Sequence, residues 1–217
     1  MYHELMTDHR RNGEPVSSPR RETRRPYRLR ARAEALAQTR RRIAGAAVEL
    51  HGSIGPARTT IRAIADRAGV ERLTVYRHFP DERALFAACS SRFLEDHSPP
   101  DLAGPMAIAN PSTRLEAVLL ALYGYYRQTE PMLSALLRDA PSVPLVAEYL
   151  GPYLAILRDL ADALAAGHPD APDPRLLRAA LGHSLAFTTW RSLAIDQGLT
   201  DVEAAVMMAE LVLGARS

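Results

Sequence analysis

Residues 60–79 read "TIRAIADRAGVERLTVYRHF", and apolar residues recur in this stretch with helical spacing on either side of a glycine. Thr60 is a favourable N-cap for a short helix that runs through Ala68. Gly69 can end that helix, because glycine adopts a positive φ at low cost. A second short helix is predicted over residues 72–78, so a tight turn would join the two.

Three features at fixed offsets define the pattern. Ala65 is small where the second helix must cross closely, Gly69 follows, and the branched apolar Val75 follows that. This spacing is typical of a helix-turn-helix. With Val75 and Phe79 directed inward, the second helix keeps a polar outer face: Arg72, Thr74, Tyr76, Arg77 and His78.

The chemistry of this outer face suits duplex DNA. Arg72, in the first turn, can reach a base edge and ideally the O6 and N7 atoms of guanine. Tyr76 and His78 can donate hydrogen bonds to phosphate oxygens, which position a helix on the duplex. Thr60 and the helix N-terminus beside it can do the same from the first helix. Positive charge is added by Arg62 and Arg77.

The segment "TTIRAIADRAGVERLTVYRHFPDERALF", residues 59–86, resembles the DNA-binding domain of the TetR family of bacterial regulators. In that family the pattern T-[LV]-Y-x-H-F ends the recognition helix, and residues 74–79 match it. The resemblance is specific over residues 38–97, and beyond them it extends only to length and helix pattern. It implies an all-α homodimer that binds a DNA operator.

One position departs from the family pattern. The family often has a lysine at the start of the fourth helix, where it touches phosphate, and here that place holds Glu82. Arg83 follows and is expected to substitute for the lysine. Leu73 fills a place often occupied by a smaller residue, and it can either touch a thymine methyl group or pack against the protein.

Composition places the positive charge in one half of the chain. Among 217 residues there are 27 arginines, no lysine and one cysteine. Residues 1–94 hold 19 arginines against 10 acidic residues, and residues 95–217 hold 8 against 15. A net charge of +9 in the first half favours a polyanionic partner there, whereas the net charge of −7 in the second does not.

The same composition suggests a cytoplasmic, nucleoid-associated protein. The single cysteine suits a reducing compartment. The arginine-rich N-terminus lacks the apolar stretch of a signal peptide, and no apolar run is long enough for a membrane span. Cys89 lies on an apolar helix face, so a buried structural role is favoured over redox sensing.

The helical pattern predicts an all-α protein with about nine helices. We expect a disordered arginine-rich arm at residues 1–33, a helix-turn-helix domain at 34–97 and a proline-rich linker at 98–111. Residues 112–217 would form a ligand-binding and dimerisation domain. Part of the basic run from Arg20 to Arg42 is expected either to reach an adjacent minor groove or to be a solvated tail.

In the second half, a short helix is predicted to begin at Pro131. A later helix is predicted over residues 174–197. The helix is apolar nearly all round, since Arg191 is its only formal charge between Ala179 and Ile195. Such a helix needs two burial partners, its own domain and, we expect, the same helix of a second subunit. The final helix, with a capping box at Thr200, would complete a four-helix interface. Gly182, Ala186 and Ala194 would allow close approach, and the final helix would add Val202, Ala205, Val206, Ala209 and Leu213.

Aromatic and sulfur-containing side chains of the second half are candidates to line an effector pocket. They are Tyr123, Tyr126, Met132, Phe187 and Trp190, with His183 and Arg191 as the polar groups. The alternative is that these aromatics belong to the core and that Arg191 pairs with an acidic residue. The sequence contains no catalytic, metal-binding or cofactor-binding motif, so we expect no enzymatic activity and no cofactor.

Together these patterns predict a homodimeric transcription regulator, and more specifically a repressor that a small-molecule effector releases from a palindromic operator. Two alternatives stay open. One is a small-molecule-binding helical protein or enzyme with a vestigial helix-turn-helix, and the other is a constitutive DNA binder without a ligand.

Overall fold

The computed structural model describes residues 24–214, and within that range all regular secondary structure is helical. The α-helices, α1 to α10 in chain order, are Arg24–Ser53, Ile61–Ala68, Arg72–His78, Glu82–Asp96, Ala103–Met106, Pro111–Asp139, Pro144–Ala166, Pro174–Leu185, Phe187–Arg191 and Asp201–Gly214. A 3₁₀ turn at Pro56–Arg58 follows α1, and a π-helical turn at Ser192–Asp196 follows α9. The all-α prediction is confirmed.

The predicted helix-turn-helix forms from α2 and α3. Thr60 caps α2, because its Oγ1 accepts a hydrogen bond from the Ala63 N–H at 3.1 Å. Gly69 ends α2 with φ 64° and ψ 42°, the left-handed conformation that glycine adopts most readily. The Val70 N–H then bonds to the Ala65 carbonyl at 3.0 Å, which closes the end of α2 and directs the chain into α3.

Helix α1 begins ahead of the start predicted near Glu34, at Arg24. Pro26 falls in its first turn, where a missing backbone N–H costs nothing. The residues that follow, such as Leu29, Ala31 and Ala33, are good helix formers with no breaker among them. The rest of the predicted disordered arm, residues 1–23, lies outside the described residues. The part of α1 up to Thr39 belongs to one compact unit, and the chain from Arg40 onward forms another.

The prediction that a new helix starts at Pro131 is wrong, because α6 continues through that residue to Asp139. A proline inside a helix removes one N–H bond, here the bond to the Arg127 carbonyl. Both Pro131 and Arg127 lie on the exposed side, where water can bond that carbonyl instead. Met132 and Leu133 are buried beside the proline and hold the helix in place.

The prediction of a single helix over residues 174–197 is also wrong. The chain leaves the helical conformation at Ala186, with φ −71° and ψ 137°, so that α8 and α9 are separate. After α9 the Gln197 N–H bonds to the Ser192 carbonyl at 3.0 Å in the π-helical turn. Gly198 then ends the segment with φ 75°.

The capping box predicted at the start of the last helix is confirmed. The Glu203 N–H donates to Thr200 Oγ1 at 3.2 Å, and the Thr200 N–H donates to Glu203 Oε2 at 2.8 Å. In the linker predicted at residues 98–111, the chain forms the one-turn helix α5. Within residues 24–214, none of the helices combines the length and the hydropathy that a membrane span requires.

Three clusters of buried apolar residues organise the chain. The first contains residues of the four helices α1, α2, α3 and α4 and surrounds Ile43, Val75 and Phe79. The second is larger and joins α6 to α10 around residues such as Tyr123 and Trp190. A small third cluster packs Phe86 of α4 against two residues of α7, Val146 and Leu150.

Candidate nucleic-acid interface and effector site

Helix α3 presents the polar face that the sequence predicts. Val75 and Phe79 are buried in the first cluster, with exposed fractions of 1% and 2%. On the opposite side Leu73 and Tyr76 are exposed over about half of their surface, at 56% and 48%. The exposed position of Leu73 favours contact with a partner over packing within the chain.

The polar side chains of this face are free to bind a partner. Arg72, Tyr76 and Arg77 are exposed, and none of them forms a hydrogen bond or ion pair with the part of the chain that the structure describes. Thr74 and His78 are half-buried at the edge of the same helix. A surface that keeps its donors unpaired can use all of them on phosphate oxygens and base edges.

Arg40 of α1 anchors the end of this helix. Its Nη1 donates a 2.6 Å hydrogen bond to the His78 carbonyl oxygen, and its guanidinium carbon lies 4.2 Å from the centre of the Phe79 ring. A cation at a helix C-terminus is favourable, and stacking on an aromatic ring adds to it. Sequence reasoning missed this role, because Arg40 is one residue of a long basic run.

Helix α2 contributes the two further residues predicted for DNA contact. Thr60 uses an Oγ1 lone pair to cap the helix, so its hydroxyl hydrogen remains available for a phosphate oxygen. Arg62 is exposed and lies 3.7 Å from the Asp66 carboxylate one turn later. This exposed ion pair is weak, so Arg62 can exchange its partner for phosphate.

Arg83 is held by a carboxylate of another helix. Its guanidinium forms a two-point ion pair with Glu148 of α7, in which Nη2 lies 2.9 Å from Oε2. This pairing raises the pKa of Arg83 and lowers the pKa of Glu148. The phosphate contact predicted for Arg83 therefore competes with Glu148, and in this structure Arg83 links α4 to α7.

The helical form of residues 24–42 limits what the basic run can do. A helix with its side chains is about 10–12 Å across, whereas the minor groove of DNA is about 6 Å wide. The described part of the run therefore cannot enter a minor groove, although its exposed arginines can touch phosphates. An insertion into the minor groove stays a prediction only for residues that the structure does not describe.

A buried carboxylate joins α6 to the loop before the helix-turn-helix. Asp139 Oδ2 accepts a 3.0 Å hydrogen bond from the Ala57 N–H, and Asp139 Oδ1 accepts one of 2.8 Å from Arg138 Nε. The bond from Arg138 is the main reason why the pKa of Asp139 is lowered. Gly55 permits this approach: its φ is 93°, and a Cβ there would collide with both side chains.

His51 and Cys89 form a buried pair within the first half of the chain. Cys89 Sγ lies 3.4 Å from His51 Nδ1. Burial lowers the pKa of His51 to about 4, against a smaller opposing effect of Asp139, and raises the pKa of Cys89 to about 12. Both groups are neutral near pH 7, which agrees with the structural role predicted for Cys89.

Four of the seven predicted effector residues come together. The Tyr126 ring centre lies 5.5 Å from that of Phe187 and 6.0 Å from that of Trp190, and 6.2 Å separates it from that of Tyr123. All four side chains are buried in the second apolar cluster. Their packing is that of a filled core, so a ligand would have to displace part of it.

The other three lie elsewhere. Met132 is buried next to Gly52 at the end of α1. If Gly52 carried a Cβ atom, that atom would lie 3.8 Å from the Met132 Cε. His183 is exposed on α8. Arg191 lies 3.6 Å from carboxylates of both Glu130 and Asp196, which is the acidic pairing that the sequence left open.

Two residues that the sequence did not single out form hydrogen bonds with these aromatic side chains. The Tyr153 hydroxyl donates to the Tyr126 hydroxyl at 3.2 Å. Asp201 accepts from Trp190 Nε1 at 2.9 Å and from Arg127 Nη2 at 2.7 Å. Burial alone would raise the pKa of Asp201, but these two hydrogen bonds outweigh it and the pKa is lowered. Neither pairing has a local signal, because the partners are far apart in the chain.

Comparison with known proteins agrees with this geometry. Residues 43–89 match the family model described as bacterial regulatory proteins, tetR family. No match was found among curated proteins. Many solved structures share the fold, and three illustrate the range.

A TetR transcription regulator from Haloarcula marismortui is 19% identical, with a TM-score of 0.58 over 83% of this chain and 98% of that one. A TetR-like transcriptional regulator from Rhodococcus sp. RHA1 is 20% identical, with a TM-score of 0.59 over 82% of this chain and 94% of that one. The transcriptional regulator FadR from Bacillus subtilis, solved in complex with stearoyl-CoA, is 22% identical, with a TM-score of 0.50 over 79% and 96%.

At these identities the solved structures show a shared fold, and the family model matches only the domain at residues 43–89. That domain contains the helix-turn-helix and its unpaired polar face. The chain therefore contains, at residues 43–89, a helix-turn-helix domain that matches the bacterial regulatory proteins of the tetR family.

Proposed function

We propose that the chain acts as a homodimeric repressor, which binds an inverted-repeat operator and leaves it when a small molecule binds. The observation that supports DNA reading is the outer face of α3, where Arg72, Tyr76 and Arg77 are exposed and unpaired within the described chain. In this role Arg72 reads a base edge, while Tyr76, His78 and Thr60 hold phosphates. Residues 34–97 would form the DNA-binding domain of a cytoplasmic protein.

The proposed dimer forms through α8 and α10. On α8, the small residues Ala179 and Gly182 are exposed, so that a second helix can approach closely. On α10, Val202 and Val206 expose 56% and 38% of their surface although both are apolar. These residues would form a two-fold interface within the domain of residues 112–217. Ala186 is half-buried and Ala194 buried, while Ala205 and Ala209 are covered within the chain itself.

The proposed effector acts on the core that contains Tyr123, Tyr126, Phe187 and Trp190. Polar contacts between the helices of that half and the first half of the chain include Arg83 with Glu148 and Asp139 with the Ala57 N–H. A ligand that favours one arrangement of α6 or α7 can therefore change the placement of α3. Two recognition helices must fit grooves at a fixed spacing, so a small shift weakens operator binding.

Selection of bound duplexes tests the DNA-binding part. Purified protein is incubated with random duplexes, and the retained fragments are sequenced. We expect an inverted repeat whose half-sites are about one helical turn apart, because a two-fold axis relates the recognition helices. Affinity for it should fall steeply with salt, since phosphate contacts release counterions. Retained fragments without an inverted repeat would contradict the proposal.

A ligand screen tests the release. Compounds that raise the melting temperature are titrated against the selected operator complex, beginning with apolar compounds that carry a carbonyl or carboxylate group. By linkage, a ligand that lowers operator affinity tenfold also binds about tenfold more weakly to the DNA-bound dimer. A screen in which every binding compound leaves the operator complex intact would favour the constitutive DNA binder.

A further inference from the structure

The break between α8 and α9 has no helix-breaking residue at its centre. Residues 183–189 read HSLAFTT, without glycine or proline. The residue at the break is Ala186, although alanine has the highest helix propensity of all residues. The local sequence thus favours a continuous helix, and contacts from elsewhere in the chain must hold the break.

Two tyrosines of α6 provide these contacts. The Tyr123 hydroxyl donates to the Ser184 carbonyl oxygen at 2.8 Å, and the Tyr126 hydroxyl donates to the Leu185 carbonyl oxygen at 2.6 Å. In a continuous helix these carbonyls would instead accept from backbone N–H groups one turn later. We name these two hydroxyls and the two carbonyl oxygens the tyrosine clasp.

A third hydroxyl and a π-helical turn complete the irregular segment. Thr189 Oγ1 donates to the His183 carbonyl oxygen at 2.6 Å, while the Thr189 N–H bonds to the Ala186 carbonyl at 3.1 Å. The π-helical turn at Ser192–Asp196 follows within a few residues. Such turns are rare and occur mostly at functional sites. The segment therefore departs twice from α-helical geometry over a short distance.

The clasp is connected to the helix-turn-helix by one element. Helix α6 carries both tyrosines and continues to Asp139, which bonds to the Ala57 N–H. The distance from Tyr126 to Asp139 along the helix is about 20 Å. Pro131 removes one backbone hydrogen bond within this stretch, but the buried Met132 and Leu133 keep the helix continuous, so a change at the clasp can reach the loop before α2.

We propose that the tyrosine clasp is a two-state switch that sets operator affinity. In the clasped state α8 and α9 are separate, and the operator is bound tightly. In the unclasped state residues 174–191 form one helix, the two carbonyls accept from Thr188 and Thr189, and the tyrosine hydroxyls become free donors for an effector. Each carbonyl keeps one hydrogen bond in both states, so neither state leaves it unpaired. This role rests on the proposed function.

Two opposite substitutions test the switch. The double variant Tyr123→Phe/Tyr126→Phe removes the clasp donors and favours the continuous helix. Thr188→Pro opposes the continuous helix, because it removes the N–H that would bond to Ser184. In the clasped state Thr188 is exposed in the first turn of α9, where proline is tolerated. Thr188→Ala is the matched control.

Operator titration distinguishes the switch from a simple loss of stability. The double tyrosine variant should bind the selected operator about tenfold more weakly than wild type. Thr188→Pro and Thr188→Ala alone should leave affinity within about twofold, and adding Thr188→Pro to the double variant should restore it. A purely structural defect would not be rescued by a proline, so the absence of rescue would overturn the switch, as would unchanged affinity in the double variant.

Trp190 gives a readout that is independent of DNA. It is the single tryptophan of the chain, and it lies in α9 just after the break. Its emission should shift in the double tyrosine variant and return when Thr188→Pro is added. If wild-type protein selects no inverted repeat, the proposed function fails, while this emission still decides whether the clasp has two states. An emission that stays the same in all variants would overturn the switch.

Discussion

Asp139, the last residue of α6, accepts a 3.0 Å hydrogen bond from the backbone N–H of Ala57, in the loop that leads into the helix-turn-helix. Only 5% of Asp139 is exposed, and Arg138 holds its second oxygen. A bond between a buried carboxylate and a distant backbone group fixes the distance between α6 and the loop. This contact therefore links the position of α6 to the loop that leads into the helix-turn-helix.

Asp139→Ala is expected to lower the free energy of unfolding by about 1–3 kcal/mol, because it leaves the Ala57 N–H without its acceptor. Asp139→Asn keeps an acceptor oxygen but loses the charge beside Arg138, so its effect should be smaller. Urea unfolding measures both. The control is Asp162→Ala, which removes an exposed ion pair with Arg178 and should change stability by less than about 1 kcal/mol. Equal effects of Asp139→Ala and Asp162→Ala would contradict the prediction.

Arg72→Ala and Tyr76→Phe are expected to weaken DNA binding in different ways. Losing Arg72 as a base reader should cost about 1–3 kcal/mol of operator affinity and relax specificity at one base pair per half-site. Losing the Tyr76 hydroxyl should weaken binding to all sequences alike, because phosphates are the same at every site. Titrations against the operator, single-base variants and random duplex separate the two. Should Arg72→Ala weaken specific and random DNA equally, its assigned role is wrong.

The helix boundaries around the predicted recognition helix could be predicted because their signals are local. Thr60 and Gly69 determine the ends of α2 through their own conformations, and the apolar spacing of Val75 and Phe79 determines which face of α3 is outward. The capping box at Thr200 is equally local. The exposed polar face of α3 therefore followed from periodicity together with turn chemistry.

The features that sequence reasoning missed depend on partners far along the chain. The break at Ala186 is held by the hydroxyls of Tyr123 and Tyr126, and the residues at the break include no glycine or proline that would predict it. The pairing of Arg83 with Glu148 likewise joins residues of different helices. Propensity favoured the continuous helix, and tertiary hydrogen bonds overrode it.

The arginines of the N-terminal half of α1 are expected to add affinity without specificity. Arg28 and Arg32 are exposed, and they lie on a helix, which is too wide to enter the minor groove. The variant Arg28→Gln/Arg32→Gln should weaken operator and random duplex by the same factor. It should also reduce the salt dependence by about one counterion for each phosphate that an arginine no longer neutralises. Titration over a range of salt concentrations measures this.

A charge-matched control for the arm is Arg158→Gln/Arg175→Gln, which removes two exposed arginines of α7 and α8. Its salt dependence should equal that of wild type if the arm acts through direct phosphate contacts. If both double variants reduce the salt dependence equally, the effect comes from net charge alone, and the arm has no contact of its own with DNA.

His51 should make the stability of the protein depend on pH between about 6.5 and 4. Burial lowers its pKa in the folded chain from 6.5 to about 4, so the folded state favours the neutral ring more than the unfolded state does. The stabilisation is complete above the unfolded pKa and is lost as the pH falls towards the folded value. At about 1.4 kcal/mol for each pKa unit, the loss between pH 7 and pH 4.5 is about 2–3 kcal/mol. Urea unfolding of wild type and His51→Gln at both pH values isolates this contribution, because all other titrating groups are shared. The free energy of unfolding should fall more in wild type than in His51→Gln, and an equal fall in both would show that His51 is not buried as a neutral ring beside Cys89.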